Sequence, residues 1–317
     1  MSAWVVLTIG GAFLQNLRSL LQRRLTGDLS VNGAAYVRFL FALPFAWAFF
    51  AATSYLHGSE FSFTPNSEFL LFIVAGAVTQ MVATSALVAA VSGSHFALGT
   101  ALSKTEAVQA AVLGLVILGE AVSMRALAGI GISLLGVFLL SGNIRPADLV
   151  QADRRVWFGV LAGTCLALCS ICYRGASLVL LDDIAVAPIM VSPGFYQTLI
   201  VAAFTLAVAV TLQSVVMGAY LGLAEPGQIR QVMYQWRPAL LVGLIAMVAS
   251  ACWFTAMALH NAAMVRALGQ IELLFTLATS VWLLHERITR REVIGIALLV
   301  LGILLSLIHI SEPTRPY

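Results

Sequence analysis

Two apolar stretches of this chain carry charged side chains that hydrocarbon alone cannot accommodate. The first, Leu102–Glu120 (LSKTEAVQAAVLGLVILGE), holds Lys104, Glu106 and Gln109. The second, Leu268–Glu286 (LGQIELLFTLATSVWLLHE), holds Gln270 and Glu272, with Arg266 two residues before it. Such groups can pair as ions, hold the charged ends of a polar solute or, through carboxylates whose pKa burial raises, exchange protons. Each charge at the centre of a membrane helix costs about 2.5–3.5 kcal/mol on insertion scales, so Lys104, Glu106 and Glu272 together represent roughly 8–10 kcal/mol if unpaired. They must face partners or a wet cavity. Side chains two positions apart point in different directions on a regular helix, so Lys104 and Glu106 cannot share a face. The expected pairing joins Lys104 or Arg266 to Glu272 or Glu106. A salt bridge that only fixes helix register is the competing reading.

The elements that position these groups repeat. Glu106 and Glu272 are 272 − 106 = 166 residues apart, and Glu120 and Glu286 are 286 − 120 = 166 apart. At the same offset Arg125 meets Arg291, Gly129 meets Gly295, Ile130 meets Ile296, Leu135 meets Leu301 and Gly136 meets Gly302. A repeat of this kind constrains the whole architecture. With 61% hydrophobic and 10% charged residues and a mean hydropathy of +0.97, the chain lies far from the roughly 25% charge of soluble domains. Lipid is its natural solvent. The net charge of +3 is small, Lys104 is the only lysine, and no basic cluster points to nucleic acid.

About 20 predominantly apolar residues span a bilayer. On that criterion ten segments are predicted: Ala3–Leu21, Ala34–Ala52, Phe69–Val91, Phe96–Leu118, Met124–Leu140, Val156–Leu180, Ile189–Val210, Pro238–Leu259, Ala262–Leu284 and Val293 onward. The fold class expected is an all-α polytopic membrane protein, with ten transmembrane helices as two inverted five-helix repeats. The first repeat is 1–141, the joining loop 142–155 and the second repeat 156–304. Five is odd, so the second half enters the membrane inverted. Glu106 and Glu272 each lie ten residues into their segments, which places both near mid-bilayer at about 1.5 Å per residue.

The remaining polar groups carry weaker signals. Gln15, Asn16 and Gln80 are lower-order site candidates, with interhelical hydrogen bonding as the blander role. Arg18, Arg38 and Arg174 stand nearer segment ends, where arginines snorkel to phosphates or cap carbonyls; Trp253 could line a pocket or simply pack. Near 225–236, Ile229, Val232, Met233 and Trp236 recur at helical spacing opposite Arg230, Gln231 and Gln235, which suits a helix in the membrane interface. Cys165, Cys169 and Cys172 share a helix face without histidine or acid nearby, so small apolar packing residues are expected rather than a metal site. The singly placed His57, His95, His260 and His285 form no ligand spacing. No cofactor is implied, and no phosphate-binding glycine loop suggests direct ATP coupling. The segment 305–317, LSLIHISEPTRPY, resembles the translation of a sequencing adapter and is read as non-native.

At this point the repeats resemble a known family. ALSKTEAVQAAVLGLVILGE and ALGQIELLFTLATSVWLLHE look like the EamA-type repeat of the drug/metabolite transporter superfamily: an internal glutamate (Glu106, Glu272), an aliphatic run and a closing glutamate (Glu120, Glu286). YVRFLFALPFA, Tyr36–Ala46, is similar to the family's arginine-led second helix, with Arg38 in the matching place. The proline that often follows the internal glutamate is Ala107 in one copy and Leu273 in the other, and His285 replaces a glycine. The first span holds Gln15, Asn16 and Arg18 but no acid, so the proton-exchanging glutamate of the small multidrug relatives does not transfer. The resemblance implies ten helices in two inverted repeats and movement of small metabolites, often efflux. It also implies cytoplasmic termini, whereas the arginine count puts the arginine-rich loops inside and both termini outside.

The leading functional expectation is a secondary transporter, an exporter of small polar metabolites such as amino acids, alternating access around a central cavity between the repeats. The alternatives are a membrane-embedded enzyme acting on a lipid-linked substrate, and a passive channel or sensor. Lys104 and Arg266, with Arg18, Arg38 and Arg174, outnumber Glu106 and Glu272 in the spans; that favours an anionic or zwitterionic solute. The expected partners are the lipid bilayer and that solute, in a monomer or homodimer within a bacterial inner membrane.

Overall fold

The computed structural model describes residues 2–25, 29–57, 66–91, 101–141, 157–185, 194–284 and 289–308. The joining loop 142–155, Glu286, His285, the first residues of the fourth predicted span and the tail past 308 lie outside them. Thirteen helices are described: α1 (Ala3–Leu25), α2 (Val31–Leu40), α3 (Leu43–His57), α4 (Ser67–Val91), α5 (Glu106–Leu118), α6 (Met124–Leu140), α7 (Trp157–Ala185), α8 (Phe195–Ala224), α9 (Gln228–Tyr234), α10 (Trp236–Leu259), α11 (Ala262–Gly269), α12 (Glu272–Leu284) and α13 (Arg290–Ile308). Among the described residues, eight stretches are long and apolar enough to cross a membrane, taking α2 with α3, the turn before α5 with α5, and α11 with α12 as single stretches. α6 is shorter, at 17 residues, and α13 opens on Arg290, Arg291 and Glu292. Many large apolar side chains face outward, among them Leu71, Val116 and Leu223. In a protein that lives in lipid, such faces meet acyl chains.

Helix ends follow local chemistry. Ser30 and Ser123 accept from backbone N–H groups three residues on, as N-caps. Thr289 and Glu292 form a reciprocal capping box at the start of α13. The second predicted span is interrupted at Phe41–Ala42, because Pro44 has no N–H to return to Leu40 and its ring crowds that carbonyl. α8 runs on to Ala224, well past the Val210 at which polarity alone ends the span. Near 225–236, only Gln228–Tyr234 forms a separate helix; Val232 is buried, Ile229 and Met233 are exposed, and Trp236 belongs to α10.

The chain divides into two compact units that each draw on both halves of the sequence: residues 1–84 with 169–260, and 85–168 with 261–317. In the first unit, Phe69, Ile73, Tyr173, Leu206 and Phe254 form the centre of an apolar cluster. Glycines admit close neighbours: a Cβ on Gly76 would lie 2.6 Å from the Tyr173 ring, and one on Gly243 would lie 2.5 Å from Phe41. Trp4 stacks on His260 with centroids 4.3 Å apart.

In the second unit, α6 and α13 cross on glycine. Gly129 faces the backbone of Gly302, and Gly136 faces that of Gly295. Since 129 + 166 = 295 and 136 + 166 = 302, Gly129 meets the counterpart of Gly136, and Gly136 meets the counterpart of Gly129, the reciprocity of a self-complementary contact. Small residues also bring α5 against α11, through Ala107 and Ala267 in one cluster and Ala110 and Ala263 in another.

Candidate functional site

The deep charges of the second unit sit at two helix breaks. After a helical turn at residues 101–103, Lys104 and Thr105 form a turn and α5 restarts at Glu106. α11 likewise ends at Gly269, Gln270 and Ile271 form a turn, and α12 starts at Glu272. The regular helices expected here are therefore interrupted, and without proline. Bonds of the i→i+3 kind take over: Lys104 N–H to Ala101 O, Thr105 to Leu102, Gln270 to Ala267 and Ile271 to Leu268, at 3.0–3.3 Å. Such tightening within a helix marks a hinge or strain. Thr105 Oγ1 also donates to Leu102 O at 2.6 Å, a side-chain bond that competes with helical pairing.

The breaks decide where charge is welcome. Glu106 and Glu272 each open a helix and meet its positive end, while Arg266 lies in the last turn of α11 near its negative end. Each such placement contributes about 0.3–1 kcal/mol, more when partly buried. The charges then meet in crossed pairs: Lys104 Nζ is 3.6 Å from Glu272 Oε2, and Arg266 Nη1 is 3.8 Å from Glu106 Oε2. All four side chains are under 20% exposed, at 17%, 19%, 12% and 8% in that order. Both separations exceed the 2.7–2.9 Å or so of a tight charge-assisted hydrogen bond, and Glu106 Oε2 is buried without a hydrogen bond. Gln270 Nε2 reaches Lys104 O at 3.3 Å; these positions are 166 apart, so a residue here touches its own counterpart. Gln109 turns to Thr105 Oγ1 at 2.9 Å, leaving its own carbonyl oxygen buried without a partner.

These pairings revise the charge balance. Lys104 and Arg266 are neutralised inside the site and supply no spare positive charge. Arg174 does not supply it either: its Nη1 donates to Met257 O and His260 O at 2.5 and 2.7 Å, capping the end of α10. Gln15 and Asn16 sit half-buried on α1, and buried Trp253 packs by Gly11.

Arg38, in the first unit, is a different case. Its guanidinium lies 4.7 Å from the centre of the Phe39 ring, and among the described residues no carboxylate is within ion-pair distance of it. It lines a cavity of about 10 Å³, roughly one water, with Gln80, Gln213, Ser250 and the apolar Ala246 and Phe254. Gln80 Oε1 accepts from Tyr173 Oη at 2.7 Å and from Gln213 Nε2 at 2.6 Å; Gln213 Nε2 also donates to Tyr173 Oη at 3.0 Å. Tyr173, Gln213 and Ser250 were not visible as site residues in the sequence. Gln213 follows Thr211 in a short polar run that reads as the end of a span, yet Gln213 and Ser214 point inward.

The arrangement is that of an α-helical integral membrane protein with a duplicated core. The model of the EamA-like transporter family matches twice, over residues 2–142 and 156–308. The chain belongs to that family and carries two of its repeats. A solved structure described only as "Crystal structure of protein" superposes with a TM-score of 0.68 over 98% of this chain and 99% of its own, at 16% identity. Likeness at that identity concerns the fold alone. Among curated proteins, none matches.

Proposed function

We propose that this protein is a secondary transporter that exports small polar metabolites, such as amino acids, from the cytoplasm of a bacterium. In this reading ten helices cross the inner membrane as two inverted five-helix repeats, α6 and α13 completing the ten, and alternate access to a central site between the repeats. The observation that carries the reading is the crossed charge quartet at matched breaks of two helices, one from each repeat. Discontinuous helices whose ends meet charged groups are the usual construction of transporter sites. The reciprocal glycine contact between α6 and α13 supports the inverted relation.

The loose ion pairs suit exchange. A zwitterion offers one carboxylate and one ammonium, so it can open Lys104–Glu272 and replace each lost partner without leaving a buried charge unmatched. Arg266–Glu106 then holds the second break, with Gln109 and Gln270 as polar neighbours. Glu106 and Glu272 are also the groups able to couple solute movement to protons.

The test is counterflow in proteoliposomes loaded with anionic, zwitterionic or cationic metabolites. Saturable, trans-stimulated uptake of a zwitterion or anion is expected, and Lys104→Gln with Glu272→Gln should lower it about 10- to 100-fold, the size of a lost hydrogen bond to a charged group. Flux that rises linearly with concentration, or competition by organic cations alone, would sink the reading. Unchanged pH dependence in Glu106→Gln would remove that residue from proton coupling.

A further inference from the structure

The geometry points to a carboxylate-binding subsite at Arg38, in the first unit, separate from the charge quartet. Three donor groups line one cavity there. The Arg38 guanidinium has no carboxylate partner, the Gln80 amide uses only its oxygen, and the Ser250 hydroxyl makes no hydrogen bond, all among the described residues. Arg18 lies near enough to repel Arg38 rather than neutralise it. The Gln80–Tyr173–Gln213 network fixes the amide, with both hydrogen bonds to its oxygen, so the NH2 is left for something else. A half-buried surplus of donors in one cavity favours an acceptor, and one guanidinium calls for one negative charge.

The planar fork of arginine matches the two oxygens of a carboxylate. The remaining walls, Phe39, Ala246 and Phe254 among them, are apolar. Arg38 is the one cation among the described lining residues, and Arg18 is not one of them. With room for about one water, the cavity takes the head group of an acid and not a whole solute. The subsite therefore assigns the solute class as carboxylates. This rests on the transporter reading only for the word solute; binding itself does not depend on it.

Purified full-length protein is titrated with formate and acetate, against formamide and acetamide, at constant chloride, with thermal unfolding as readout. The carboxylates should raise the unfolding midpoint and the amides should not. Arg38→Gln should weaken the apparent affinity about 10- to 100-fold, and Arg38→Lys less. Ala246→Val, which keeps the charge and fills the cavity, should also abolish the response, and it serves if Arg38→Gln does not fold. Equal responses to acetate and acetamide, no response to either carboxylate, a response that chloride substitution reproduces, or loss in the Lys104/Glu272 double variant with retention in Arg38→Gln, would overturn the assignment. Arg38-dependent acetate binding without counterflow of any solute would uphold the subsite and remove the transporter reading. Counterflow without any Arg38-dependent binding would do the reverse.

Discussion

The two units bury charge in opposite ways. In the second, two cations and two anions sum to zero, meet at 3.6 and 3.8 Å, and occupy helix ends whose dipoles suit them. In the first, half-buried Arg38 stands among hydrogen-bond donors, and among the described residues no carboxylate is within ion-pair distance of it. A buried pair is self-sufficient and must be opened before it can bind anything. An unmatched, half-buried charge is incomplete and is relieved by binding. Depth in the membrane alone therefore does not identify a binding residue; the local balance of charge does.

Breaking a pair should have the largest effect. Arg266→Gln leaves Glu106 buried without its counter-ion and should destabilise the protein by about 3–5 kcal/mol, measured by unfolding in detergent; wild-type stability would mean that the Arg266–Glu106 pair does not hold the fold. Arg38→Gln should move the other way, gaining about 1–3 kcal/mol once an unpaired charge of about 2.5–3.5 kcal/mol is relieved and a cation–π contact is lost. A loss of stability there would make Arg38 a structural residue and erase the contrast. Neutralising both members of a pair, Lys104→Gln with Glu272→Gln, should stay within about 1 kcal/mol of wild type, because no lone charge remains.

The smallest effect is expected outside the spans. Ser30 and Asn32 donate to Glu225, and those bonds hold its carboxyl below the ordinary carboxylate range. A depressed folded-state value means that the stabilisation is complete above the ordinary carboxylate pKa and fades as pH falls through the lowered one. Because the site is partly exposed, less than about 1 kcal/mol is involved. Glu225→Gln should flatten the acid limb of a stability profile by that small amount, and an unaltered limb would show that the bonds do not persist in solution.

Much of the architecture was legible because lipid imposes a simple rule. The apolar runs had to be helices, and the 166-residue offset exposed the duplication; both agree with a family match over two repeats. The need for Lys104, Glu106, Arg266 and Glu272 to find partners was legible from solvation alone. Their helix breaks were not: proline is the strong signal for a break, and here Thr105 and Gly269 sit at the turns instead. The Arg38 cavity escaped for a different reason. Its donors come from residues 38, 80, 213 and 250, brought together only by tertiary packing. Arg174, equally placed near a segment end, proved to cap carbonyls, so position along a span did not separate the two arginines.

The contact between Gln270 and Lys104 bears on how a doubled chain can diverge. Where a residue touches its own copy, an ancestral side chain would face a duplicate of itself. Two lysines would then repel and two carboxylates would do the same. A cation could settle at that position only if its twin became neutral or anionic, and Lys104 now faces the neutral Gln270. Glycines that meet each other's counterparts, as on α6 and α13, carry no such conflict and could remain alike in both copies. The four glycines of that contact are thus alike in both copies, while the position where charge would meet its own image holds Lys104 in one copy and Gln270 in the other.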